Sequence, residues 1–147
     1  MPTPSDEIRS RLVLRSDSAR RRSWLALQLR VAGVTKLELV PNSVATRSVI
    51  TPDAYRILRA ANLISLDIFD INTGRVTSVL RNVTIGGRPA PDLTVQVRDV
   101  PELLGSDDQY LVDGYLGLDY LFFGDFGSIE INTRTLRVTL RLDPRTH

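Results

Sequence analysis

A chain of 147 residues, 42% of them apolar, has room for one hydrophobic core, since two halves would each sit near the size of about 60 residues where burial becomes marginal. It holds no Cys and one His, His147 in the last "RTH", so a Cys or Ser nucleophile paired with His, a structural zinc site and a His general base all lack their parts. Charge is near balance but uneven: residues 1–60 hold 11 Lys and Arg against 5 acids, residues 61–147 hold 8 against 12, and any catalysis falls to carboxylates.

The opening "MPTPSDEIRSRLVLRS" has no basic stretch leading into an apolar segment, and no apolar run in the chain nears the ~20 residues that span a bilayer. A soluble, cytoplasmic protein is expected, with residues 1–21 as an N-terminal arm ahead of a single domain over residues 22–147. "ARRRS" is the one dense basic run. With no aromatics between Arg20, Arg21 and Arg22 to stack bases, it reads as a solvated approach to the first strand, and nucleic acid is not an expected partner.

Period-two alternation dominates the chain from Trp24 onward. "WLALQLRVAGVTKLELV" sets Leu25, Leu27, Leu29 and Val31 on one face, turns at Ala32 and Gly33, and resumes with Leu37 and Leu39, a hairpin with a short Gly-containing loop. The chain then enters a Ser- and Thr-rich turn, "PNSVATRS", and returns through "SVIT". Thr51 is placed to cap a helix over residues 53–61, with Pro52 where a first helical position tolerates it. A second hairpin joins "LISLDIF" to "RVTSVLRNVTI" through "DINTG", where Asn72 and Gly74 supply residues that tolerate positive φ. Gly86 and Gly87 make the next turn, and "LTVQVRDV" is another alternating strand. "PELLGSDDQY" reads as a polar loop. Past it, Gly114, Gly117, Gly124 and Gly127 imply tight packing and turns around one helical turn at residues 119–123, and "SIEINTRTLRVTLRL" is a hairpin about Asn132. Short strands with turn signals about every ten residues argue an all-β, barrel-like domain with one or two short helices.

Several acids and aromatics have a plain structural reading beside any chemical one. Asp113 and Asp119 invite assignment as a catalytic pair, yet Asp119 at the start of a short helix suits the helix dipole. Asp107 and Asp108 lack a third ligand nearby, so no metal is expected. Tyr115, Tyr120, Phe122, Phe123 and Phe126 read as core rather than a ligand cage, and Trp24 is too solitary to interpret.

Two blocks of the chain resemble the retropepsin-like (retroviral-type) aspartic protease family. "DGYLGLDYLFFGDFGSIEINTRTLRVTLRL" looks like the C-terminal half of such domains, where two hydrophobic residues and a Gly, here Tyr115, Leu116 and Gly117, precede a short helix and a final hairpin. Counting back from the return strand at Ile50 and Thr51, Asn42, Ser43, Val44, Ala45 and Thr46 lie over the family's catalytic loop, which reads Asp, Thr or Ser, Gly, Ala, Ser or Thr. The resemblance covers residues 22–142. It implies a closed retropepsin-like β-barrel, a homodimer with one motif from each subunit, and a flap hairpin at Asn72, Thr73 and Gly74 closing over a peptide cleft floored by Val44, Ala45 and Thr46. No cofactor is implied.

The motif departs from the family at two positions. Asn42 stands where the aspartate should be, and an amide offers no carboxylate to share a proton with its dimer mate. Val44 stands where the family has Gly, and a β-branched residue resists the backbone freedom that Gly has there. The expectation is a catalytically inactive homologue, a pseudoprotease that binds extended peptide segments or serves a structural role as a homodimer. Two alternatives stay open: an active aspartic peptidase with a non-standard site, including one formed by deamidation of Asn42, and an assembly domain whose cleft is filled.

Overall fold

Alternating segments can pair only if their apolar faces meet, and here they meet on one extended sheet. The computed structural model describes residues 7–19, 21–42, 44–121 and 126–142. Its strands are β1 (Glu7–Asp17), β2 (Arg22–Val31), β3 (Thr35–Pro41), β4 (Val49–Ile50), β5 (Leu66–Asp70), β6 (Arg75–Leu80), β7 (Val83–Ile85), β8 (Arg88–Pro89), β9 (Leu93–Val97), β10 (Gly114–Leu116), β11 (Phe126–Asn132) and β12 (Arg137–Leu142). Two short helices, α1 (Pro52–Ala60) and α2 (Leu118–Leu121), and a 3-10 turn at Pro101–Leu103 complete the described residues. The domain is all-β, as the periodicity implies.

The pairing path runs β11-β12-β1-β2-β3-β10-β4-β9-β6-β5, with β7 on β2 and β8 on β7. The path is open, ending at β11 and β5, so the expected closure of the barrel by hydrogen bonds is not found among the described strands. Residues 7–17, expected as an arm, form the eleven-residue β1 instead. Glu7 through Arg11 pair with β12 and Leu12 through Asp17 with β2, which carries the strand from one layer into the next. Where β1 leaves β2 at Leu27, β7 takes its place from Leu29 onward.

The centre of the sheet is buried on both faces. Leu27, Leu39, Ile50 and Leu116 are fully buried in the larger core. Their sequence neighbours Ala26, Val40, Val49 and Tyr115 point the other way into a second cluster with Val100, Leu103 and Val112. At about 1.5–3 kcal/mol for each fully buried large aliphatic side chain, both faces add to stability. The segment expected as a polar loop supplies that second cover. Its 3-10 turn buries Leu103, and Trp24 packs edge-on against Tyr115 with ring centroids 6.2 Å apart.

Local signals set the remaining turns. The Thr51 hydroxyl accepts from Ala54 N–H to cap α1 one residue earlier than the expected start, with Pro52 in the first turn. Gly74 has φ +68 at the β5–β6 turn, as expected, whereas Asn72 does not adopt positive φ and the Asp70 carboxylate accepts its N–H instead. Asn82 at φ +56 splits the expected strand "RVTSVLRNVTI" into β6 and β7. Among the described residues no helix is long and apolar enough to cross a membrane.

Candidate functional site

Three strands converge on the turn at residues 42–48. β10 runs parallel to β3, with Gly114 opposite Leu39, and antiparallel to β4, with Gly114 opposite Ile50. It therefore separates the strand entering the turn from the strand leaving it, and the turn must cross the end of β10. Asn42 N–H donates to Leu116 O at 2.9 Å at that crossing.

The turn then caps α2. Leu118 N–H donates to Ala45 O at 2.8 Å and Asp119 N–H to Thr46 O at 3.2 Å, while Gly117 N–H donates to the Ser48 hydroxyl at 3.0 Å. The first amides of a helix have no partner within it, and here the turn supplies acceptors for them. In return, Asp119 accepts from Ser48 N–H at 3.0 and 3.1 Å and from the Ser48 hydroxyl at 2.9 Å. Ser48 is fully buried, so these bonds satisfy groups that water cannot reach. The approach is close enough to need glycine at residue 117: a Cβ there would lie 2.5 Å from Arg47 C and 2.6 Å from Arg47 O.

Asn42 has a side chain already in use. Its Oδ1 accepts from Val44 N–H at 2.9 Å, an Asx turn that holds the loop in shape. Val44 has no positive φ, so the loop runs through it without the backbone strain expected where the family has Gly; its side chain is 86% exposed. Ser43, aligned with the motif's hydroxyl residue, lies outside the described residues.

A cleft of about 380 Å³ opens above the turn. Val44, Ala45, Thr46 and Arg47 line one side, and Arg75, the first residue of β6 after the β5–β6 turn, with Gln96 and Arg98 of the β9 region, line the other. The structure thus brings Ala45 and Thr46 to a common opening. Asn72, Thr73 and Gly74 form the exposed tip of the hairpin and do not line the cleft; Arg75 does. Arg47, Arg75, Gln96 and Arg98 escaped the sequence reading, although "TVQVR" places Gln96 and Arg98 on one face by alternation alone.

Among the described residues no other acid takes the place of an aspartate at the turn. Glu38, four residues before Asn42, is spent on β1 and β2: Arg15 donates to its two oxygens at 2.9 and 2.7 Å and Gln28 to one at 2.8 Å. Burial pushes its carboxyl up, but the Arg15 and Gln28 bonds outweigh this and hold it below the usual range. The Asp113 carboxylate accepts from Glu38 N–H at 2.8 Å at the start of β10, the end away from the turn. Burial pushes its carboxyl up, and the nearby Glu38 charge adds to that. Asp119 serves Ser48. Both aspartates thus hold the structural places expected of them. Tyr115 and Tyr120 are buried, Phe122 and Phe123 lie outside the described residues, as does the side chain of Phe126, and no group of three or more His, Cys, Asp or Glu gathers among the described residues.

A raised folded pKa means that ionised Asp113 opposes folding. Its cost is absent below the ordinary carboxyl range, grows as pH rises, and is complete above the raised folded value. Asp113→Asn retains an acceptor for Glu38 N–H without the charge. It is expected to be more stable than wild type in urea unfolding at pH 7, with the gain vanishing near pH 3.

No family model matches the chain, and no curated protein matches it. It is similar to the crystal structure of a retropepsin-like aspartic protease from Rickettsia conorii, with a TM-score of 0.53 and 14% identity over 97% of this chain and 98% of that one. The mostly β chain thus has a retropepsin-like fold.

Proposed function

We propose that this chain is a catalytically inactive retropepsin-type domain, working in the cytoplasm as a homodimeric module that binds extended peptides or holds a structure together. Asn42 is the observation that carries the reading. An aspartic protease needs one carboxylate to take a proton from water while its mate gives one to the scissile carbonyl. The Asn42 amide accepts from Val44 N–H through its oxygen and can only donate through its nitrogen, so no proton is exchanged at the turn. General acid-base catalysis, worth about 10²–10⁴ in rate, has no agent there. The turn is bonded to β10 and α2 and the cleft above it is open, which supports retained binding.

Cleavage of a diverse peptide library between pH 3 and 8 tests this. Wild type is expected to be inert, and Asn42→Asp with Val44→Gly to cleave at acid pH, at least ~10²-fold above the wild-type background. The second substitution clears the exposed valine from the cleft mouth. Cleavage by wild type, blocked by a transition-state-mimicking inhibitor, would establish an active peptidase; light-scattering mass of a monomer would remove the homodimer.

A further inference from the structure

The cleft is strongly cationic for its size. Arg47 comes from the turn, Arg75 from the start of β6 and Arg98 from the residue after β9, three separate segments whose exposed arginines line one opening. Register explains the convergence of two of them. Val76 pairs with Val97 and Thr77 with Gln96, so Arg75 and Arg98 flank that ladder on one face. Like charges at such neighbouring positions repel, and none of the three has an ion pair with a described carboxylate. The acids nearest in sequence have other partners: Asp53 pairs with Arg56, Asp70, opposite Arg75 in the β5–β6 ladder, accepts from Asn72 N–H, and Asp99 accepts from the Tyr110 hydroxyl. Among the described residues no acid lines the cleft.

The geometry points to an extended peptide segment rich in aspartate and glutamate as the ligand of this cleft, an inference that rests on the peptide-binding reading above. Such a ligand supplies the carboxylates that the cleft lacks, and guanidinium groups pair with carboxylates through two parallel hydrogen bonds. A nucleic acid would also bring negative charge, but among the described residues no aromatic side chain lines the cleft to stack a base. The extended form is that of the peptide-binding reading, in which a segment lies along the strands that line the cleft.

Fluorescence polarisation with two labelled ten-residue peptides tests it, one carrying Glu at alternate positions and its twin carrying Gln. The Glu peptide is expected to bind at least ~10-fold tighter at 0.05 M salt, with the preference shrinking as salt is raised. Arg47→Gln, Arg75→Gln and Arg98→Gln combined should abolish the preference, while Arg134→Gln, in the distant β11–β12 turn, should leave it intact. Circular dichroism confirms that the variants, all at exposed positions, stay folded. Equal binding of the two peptides would overturn the acidic preference and leave peptide binding standing. No binding of either would overturn both readings. Equal losses in the triple and Arg134 variants, or tighter binding of a single-stranded oligonucleotide of matched charge, would overturn the assignment of the ligand.

Discussion

Gly117→Ala is expected to destabilise the protein by about 3 kcal/mol, the upper part of the overpacking range, and to displace the turn at residues 42–48. The added methyl would meet backbone on two sides, Arg47 C at 2.5 Å and Ala45 O at 2.9 Å, and neither can rotate away as a side chain tip could. To make room, the turn must move off α2, which stretches the bonds from Gly117 N–H to Ser48, Leu118 N–H to Ala45 O and Asp119 N–H to Thr46 O together. Urea unfolding measures the loss, and hydrogen exchange at Gly117, Leu118 and Asp119 should accelerate far more than at the β2–β3 ladder. A small, uniform change would mean that the turn is not clamped by this contact.

Asp119→Ala should cost roughly 3 kcal/mol for a different reason, because it leaves Ser48 N–H and the Ser48 hydroxyl without their acceptor in a site closed to water. Asp119→Asn keeps one oxygen and should cost roughly 1 kcal/mol. Ser48→Ala alone removes the hydroxyl that both receives from Gly117 N–H and donates to Asp119. The double variant should be less damaging than the sum of the two singles, a coupling that a double-mutant cycle in urea reads directly. Additivity would show that Asp119 stabilises the turn through something other than Ser48.

The hairpins, the Thr51 cap and the glycine at residue 117 were legible because each is written within a few neighbouring residues. "WLALQLRVAGVTKLELV" states its own pairing by alternation, and so does the final hairpin about Asn132, whose side chain accepts from Arg134 and Thr135 N–H. β1 was not legible. Only Ile8 and Leu12 are buried apolar residues along it, charged residues stand between them, and half its partners lie at the far end of the chain. The cover over the second face was missed for a related reason: Val100, Leu103 and Val112 follow no fixed period, so nothing local distinguishes them from a polar loop. Closure of a barrel is a matter of register between distant strands, which alternation leaves unspecified. At the turn, the loss of the acid could be read from one letter. That Asn42 closes an Asx turn, and that Arg75 rather than the hairpin tip reaches the cleft, needed coordinates.

The divided pairing of β1 also sets an order of events during synthesis. Its first half waits for β12, and the ion pair from Arg141 to Glu7 spans 134 positions of sequence, so a chain leaving the ribosome holds an unsatisfied strand until β12 has emerged. Until then Ile8 and Leu12 have only part of their burial, and the exposed edge can pair with another nascent chain. Slow translation, which rescues many proteins by letting early segments settle, would prolong this one's vulnerable interval instead.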